Sequence, residues 1–442
     1  MSKSTIVILL CLLASFQVLG QQLRLFSKNE INEDIDYMIN DIERIHPNLY
    51  HSINKEDFIS RVQIIKNQLP DSISKIEVWI RLNEILALIS EGHTYFRPPA
   101  DDMGDFLKFP FTVKIDNSTK HFVINGSPID SLKKYIGVRI ISINDIPTDS
   151  LLYILLKYTG AENESYSIFK TGLHFEYAIY TLFREPEYFN IGFQEGENII
   201  NHRFKSIKNI QTKAEPNYTF RIVNDNIGLI DMNRMNSIRD FKKFSKSTFK
   251  TINNKNISKL IIDFRGDPGG DSEIGDELMK YLSDMPFTQW EKVFVKVSQV
   301  SRELYNYPSE KDTIAERDLS NNLTEPYPPK MRFSGKLILL IDGGTFSSAG
   351  SATWCISHYK LGTTVGEETS GLGVHYGNVI KRNLPITGLT YYTSHMKWYQ
   401  VGANDSSTHG LIPDYEAKLS IEDIKIQKDS VLEYAIKLIN SN

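Results

Sequence analysis

Cysteine is almost missing from this chain. Two occur in 442 residues, Cys11 and Cys355. Cys11 sits in an apolar run, Ile6 to Leu13, with Lys3 before it and Val18-Leu19-Gly20 after it. A positive start, a short apolar stretch and a small residue predict a cleaved export leader over residues 1–20. Leu10, not a small residue, precedes Cys11, which disfavours a lipidated cysteine. The run is also short for a membrane span. The expectation is therefore a periplasmic or extracellular protein with no stable membrane span. Once the leader is gone, only Cys355 remains, and one cysteine excludes an intramolecular disulfide. Stability has to come from the core. Cys355, within Ala352-Thr353-Trp354-Cys355-Ile356, reads as a small buried hydrophobe.

Long blocks of positive charge are missing too. Lys and Arg number 50 against 54 Asp and Glu, for a net charge of −4, which argues against nucleic acid as a partner. No internal repeat and no low-complexity tract stands out. No Gly-Lys-Ser/Thr follows a glycine-rich loop, so a P-loop phosphate site is excluded. Aromatic residues are abundant instead: 22 Tyr and 23 Phe supply core material for the two or three domains that the length predicts.

The pattern changes along the chain. Ile31, Ile35, Met38, Ile42 and Ile45 recur at helical spacing, as do Phe58, Val62, Ile65 and Leu69. A third helix starts at Ser74-Lys75-Ile76-Glu77, a capping-box pattern, and stops near Gly92. Residues 21–100 thus predict a helical N-terminal region. Residues 101–210 predict a β-rich segment, with strands at Phe111–Ile115, His121–Ile124 and Gly137–Asp145 and helices at Ser150–Tyr158 and Leu173–Phe183. Residues 211–442 alternate strand and helix, the mark of an α/β core. Its strands are expected at Ile227–Met232, Lys259–Phe264 and Lys336–Ile341, its helices at Phe241–Ile252 and Glu273–Leu282. The polar stretch 285–335 predicts a long surface excursion.

Two strand-end loops could carry chemistry. Leu260 to Phe264 runs into Arg265-Gly266-Asp267-Pro268-Gly269-Gly270. Lys336 to Ile341 runs into Asp342-Gly343-Gly344-Thr345-Phe346-Ser347-Ser348, followed by the small-residue start of a helix. Ligands of open α/β sheets bind at such strand ends. A serine between strand and helix can hold a strained, exposed hydroxyl, and the helix N-terminus offers N–H groups to an oxyanion. The pair suits acyl transfer, which needs a base. His93, in Glu91-Gly92-His93-Thr94, competes for that role with His358, His375, His395 and His409.

Together these segments resemble peptidase family S41, the tail-specific or C-terminal-processing proteases and their tricorn-like branch. Leu260 to Gly270 is similar to the family's "IDLRGNPGG", and Glu91-Gly92-His93-Thr94 to the tricorn-like "DGHT". Leu339 to Ala349, then Gly366-Glu367-Glu368-Thr369-Ser370-Gly371, is similar to the nucleophile segment and the loop after it. Gly410-Leu411-Ile412-Pro413-Asp414 is similar to the closing "GV-PD". The resemblance implies a crotonase/ClpP-like core, a PDZ-like β-rich segment and a secreted serine endopeptidase of peptide or protein substrates, with no cofactor and no metal. It implies Ser347 as nucleophile, His93 as base, and an oxyanion hole from the N–H groups of Ser348 and of Gly270 or Gly269. Leu372 stands where processing proteases have their catalytic lysine. Gly92 stands where tricorn-like members have a serine, and Ser406 to His409 where they have a glutamate. Asp405 is the candidate for the orienting acid, with Glu367 and Glu368 behind it. The missing acid also leaves a second reading, a non-catalytic peptide- or lipid-binding protein on the same scaffold.

Overall fold

A computed structural model describes residues 24–99, 106–184, 186–196, 198–208, 215–224 and 226–441. The leader expected over residues 1–20 lies outside the described residues. Among these residues no helix is long and apolar enough to cross a membrane.

The N-terminal region pairs β1 (Leu25–Ser27) with β2 (Ser72–Ser74) and holds α1 (Lys28–Ile45), α2 (Lys55–Asn67) and α3 (Lys75–Ala87). Ser27 and Ser74 cap α1 and α3, each with the reciprocal Glu that the sequence pattern calls for. The short strand β3 (Tyr95–Phe96) follows the His93 loop.

The middle segment is a sheet of β4 (Thr112–Ile115), β5 (Phe122–Gly126), β6 (Arg139–Ile143), β8 (Tyr188–Glu195) and β9 (Asn198–Lys205), with β7 (Ile146–Pro147) beside β6. The expected Gly137–Asp145 strand is the central β6. It ends in Asn144 and Asp145, both at positive φ, as a tight hairpin requires. Helices α4 (Thr148–Leu156), α5 (Glu164–Leu173) and α6 (Phe175–Phe183) cover this sheet, and α5 was not expected from the spacing.

The remainder holds a six-stranded sheet in the order β10 (Tyr218–Val223), β11 (Ile227–Met232), β12 (Lys259–Asp263), β15 (Lys336–Ile341), β16 (Thr363–Gly366), β19 (Tyr415–Glu416). All its pairs are parallel except β10 with β11. The apolar run of β15 is buried because both faces are covered. Leu337, Leu339 and Ile341 face a core with α7 (Ile238–Asn254), α8 (Glu273–Leu282) and α10 (Ser347–His358). Ile338 and Leu340 face the opposite core, closed by Val431, Ala435 and Ile439 of the C-terminal helix Ser430–Asn440. Truncating such a side chain to Ala costs about 2–5 kcal/mol.

The stretch 285–335 is not a mere excursion. It supplies β13 (Trp290–Val297), α9 (Gln299–Tyr305) and β14 (Thr313–Asp318). Val293, Val295 and Val297 alternate inward on β13, a period-2 signal hidden among polar neighbours. β14 and β13 continue into β18 (Thr390–Gln400) and β17 (Val374–Asn383), and β3 joins β18. This second sheet docks the helical region. Asp34 of α1, fully buried, accepts from the N–H groups of Ile386 and Thr387 and from the Thr387 hydroxyl. Asp41 takes both prongs of Arg382, at 2.8 and 2.9 Å. The His93 loop is thereby carried to the strand ends of the six-stranded sheet.

Candidate active site

Parallel pairing of β12 with β15 sets Asp263 beside Leu340, so the loops after them leave the sheet side by side. They are tied by side chains that bond the backbone of the facing loop and by a backbone–backbone bond. Asp342 Oδ1 accepts the N–H groups of Gly266 and Gly344, each at 2.8 Å. The Thr345 hydroxyl donates to Phe264 O at 2.9 Å, and Phe346 N–H donates to Asp267 O at 3.0 Å. The Arg265 guanidinium forks onto Asp263 and Asp429 and holds the base of the first loop.

Ser347 opens α10 with φ of 50°, a left-handed conformation that costs a serine roughly 1–2 kcal/mol. This is the strained elbow expected from strand, glycines and helix. The adjacent Ser348 is buried, and its hydroxyl is committed to Gly270 O at 2.8 Å. Its N–H lies in the first helical turn, where no intrahelical acceptor exists. The Gly270 N–H also has no acceptor among the described residues. The Gly269 N–H donates to Asp267 Oδ1 at 2.8 Å, so of the two glycines Gly270 holds the free donor. Gly269 serves by lacking a side chain. At φ of 85°, a Cβ there would stand 2.6 Å from Ser348 N and 2.7 Å from Phe346 O.

His93 comes from a segment 254 residues away. Its Nε2 lies 2.9 Å from Ser347 Oγ. The His93 ring lies against Phe346 at 4.6 Å, and Tyr166 of α5 tilts against the same Phe346 ring at 4.2 Å. Of the competing histidines, His375 is buried in the cleft wall, against Leu372 O, and burial pushes it down to about 4. His395 is turned to Asn378 O and His409 to Gly410 O.

Asp405 is not part of this group. It is exposed, bonds the Tyr399 hydroxyl and pairs with Lys397 at 3.7 Å. Glu367 lines a separate hollow with Lys114 and Arg265, and Glu368 holds Gly410 N–H. Two other carboxylates flank His93 Nδ1: Glu91 Oε1 at 3.4 Å and Glu162 Oε1 at 3.9 Å. Burial pushes the Glu91 carboxyl up, but His46 and His93, in reach and in charge, hold it well below the usual range. Burial pushes Glu162 up, and the charge of His93 offsets this only in part. Glu91, His93 and Glu162 also form the one group among the described residues whose donor atoms, within 4.8 Å of one another, could close on a cation. Glu91 appeared in the sequence only as a motif letter, and Glu162 carried no signal. The one hint was Gly92, a position without a side chain beside the histidine.

These parts line a cleft of about 1050 Å³ between the strand ends, the helical region and α5. A search of the curated proteins finds no match. Among solved structures the fold is similar to mature CPAF, with 12% identity and a TM-score of 0.69, over 93% of this chain and 97% of that one. It is also similar to the photosystem II D1 C-terminal processing protease, with 14% identity and a TM-score of 0.50, over 93% and 98%. The model of peptidase family S41 matches residues 226–417, which hold both strand-end loops. The protein is a serine-type peptidase, a hydrolase of peptide bonds. Over residues 226–417 the chain is similar to the members of peptidase family S41.

Proposed function

We propose that this peptidase cleaves through an acyl-enzyme with Ser347 as nucleophile and His93 as base. The observation that carries the reading is the 2.9 Å contact between His93 Nε2 and Ser347 Oγ. That distance lies within direct proton-transfer reach. Ser347 Oγ attacks the scissile carbonyl while its proton passes to His93 Nε2. The carbonyl oxygen becomes an oxyanion facing the N–H groups of Ser348 and Gly270. Collapse breaks the C–N bond, and His93 gives its proton to the leaving amine. Water, deprotonated by His93, then releases the acyl group and restores Ser347.

The wider reading has four parts: a crotonase/ClpP-like core, a PDZ-like middle segment, a peptide or protein substrate, and export of the chain. Trp79, Ile80, Leu86, Tyr158 and Tyr177 give the cleft an apolar wall suited to peptide side chains. Export rests on the leader pattern of residues 1–20, and mass spectrometry of the secreted protein should find Gln21 at its N-terminus. The non-catalytic alternative rests on a missing acid, and the carboxylates beside Nδ1 speak against it.

The test is labelling by a fluorophosphonate together with hydrolysis of an unstructured protein substrate. Ser347→Ala should abolish both. His93→Ala should lower kcat/KM by about 10³-fold or more, and Lys397→Ala should leave it unchanged. Retained hydrolysis in Ser347→Ala would overturn the assignment.

A further inference from the structure

Glu162 lies on the loop between α4 and α5, yet its side chain is only 4% exposed. Neither carboxylate oxygen closes a hydrogen bond, although the N–H groups of Glu162 and Gly92 face it. A buried carboxylate without partners is costly, and such orphans call for a functional explanation. His93 Nδ1 is likewise without an acceptor, 3.9 Å away. Glu91 is nearer, but its near oxygen is committed. Oε1 accepts the His93 backbone N–H and the Ser394 hydroxyl, both at 2.9 Å, and Oε2 faces His46 at 3.8 Å. Two donors fill the two lone-pair directions of Oε1. Among the described residues no side chain occupies the lone pairs of Glu162, which only the N–H groups of Glu162 and Gly92 face.

Gly92 is a second, independent observation. A Cβ at that position would stand 2.8 Å from Glu162 Oε2, 2.9 Å from Tyr166 Cε1 and 3.0 Å from Phe346 Cζ. The lack of a side chain beside His93 is what lets the Glu162 carboxylate reach the imidazole. The loop is also fastened: the Lys170 ammonium donates to Gly160 O at 2.8 Å, and Gly160 lies against Ala87.

The geometry points to Glu162 as the positioning carboxylate of the base. It accepts the Nδ1–H of His93, holds Nε2 toward Ser347, and balances the imidazolium formed when Ser347 gives up its proton, while Glu91 anchors the loop. This inference rests on the assignment of Ser347 and His93. It makes the middle segment, through one loop, a contributor to the site. The other titratable groups around the pair are Glu91 and His46 on the helical region, Tyr166 and Lys170 on α5, and His375 on β17.

The experiment is the pH profile of kcat/KM for wild type, Glu162→Gln, Glu91→Gln and Gly92→Ala, each checked for folding by thermal melting. Glu162→Gln should lose about 10²–10⁴-fold at the plateau, mostly in kcat. Its acid limb should move to lower pH by about one unit, because the negative charge that favours the imidazolium is gone. Gly92→Ala should displace the carboxylate and shift the limb in the same direction. Glu91→Gln should lower the melting temperature with a smaller limb shift. A Glu162→Gln enzyme with the wild-type limb, beside a dead Ser347→Ala, would overturn this inference and leave the catalytic assignment standing. An activity lost to EDTA and restored by zinc would overturn it in favour of a metal site. If Glu162→Gln does not fold, Gly92→Ala decides alone, and an unmoved limb there counts against the inference.

Discussion

The nucleophile side of the site and the base side are built differently. The proposed nucleophile and oxyanion donors lie on two loops at the ends of neighbouring parallel strands, and the Asp342, Thr345 and Ser348 side chains tie these loops to each other's backbone. The base side is assembled from three distant pieces, residues 91–93, 162–166 and 394, and leaves several buried polar atoms without partners. The first is a frame fixed by side chains bonded to backbone. The second is a set of charges held close but loosely paired, able to tighten when a proton moves. The difference suggests where each half breaks: the frame by steric intrusion, the base by altered charge.

The largest expected effect on the frame comes from Gly269→Ala. The added methyl would meet Ser348 N and Phe346 O at well under contact distance, at a φ that alanine rarely adopts. Hydrolysis should fall by about 10²-fold or more, because an oxyanion donor moves, with roughly 2 kcal/mol or more of stability lost. Unchanged kinetics would show that the frame yields. Gly92→Ala on the base side should cost activity through the pH profile with less loss of stability.

A smaller effect is expected from Asp267, which is fully buried and holds the Gly269 N–H. Burial pushes its carboxyl up to about 7, only partly offset by the backbone N–H groups of Gly269 and Met235. A native group with a raised pKa keeps its proton where the unfolded chain has released it. Its stabilising contribution is therefore complete below about pH 4 and is lost as pH rises to about 7. Asp267→Asn keeps the acceptor and removes the ionisation. Denaturant titrations should show the variant gaining on wild type between pH 4 and 7, by on the order of 2–4 kcal/mol, then levelling. A difference that stays flat across that window would contradict a neutral Asp267.

The smallest effect concerns Ser347 itself. Ser347→Gly relieves the positive φ and should be inactive yet about 1 kcal/mol more stable than Ser347→Ala, read from melting or denaturant midpoints. Equal stabilities would mean that the elbow stores no strain.

These two halves were unequally legible. The strands at Ile227–Met232 and Lys336–Ile341 and the helix at Glu273–Leu282 fall where the sequence pattern puts them, since a run covered on both faces and an amphipathic helix leave local marks. β13 escaped notice because its three valines alternate with Lys292, Phe294 and Lys296 at the start of a mostly polar stretch. The α5 helix escaped because Ser165, Ser167 and Thr171 dilute its apolar face. In the proposed site, Ser347, Ser348 and Gly270 come from contiguous motifs of the family resemblance, because one turn would supply nucleophile and donor together. Asp405 was an expectation drawn from its position before Gly410, and it lies instead beside Tyr399 and Lys397.

The sequence by itself determined the frame: two apolar strands, the glycines after them and the serine at a helix start, with His93 one of several histidines open to the role of base. Local chain geometry suffices for that, since each strand dictates where its own loop emerges. Only the tertiary structure decided which acids face the base. Glu162 reaches His93 because the α4–α5 loop seats against Ala87 and because Gly92 leaves room for a carboxylate. A contact between side chains made by packing three separate cores together leaves no period or spacing in the chain to read.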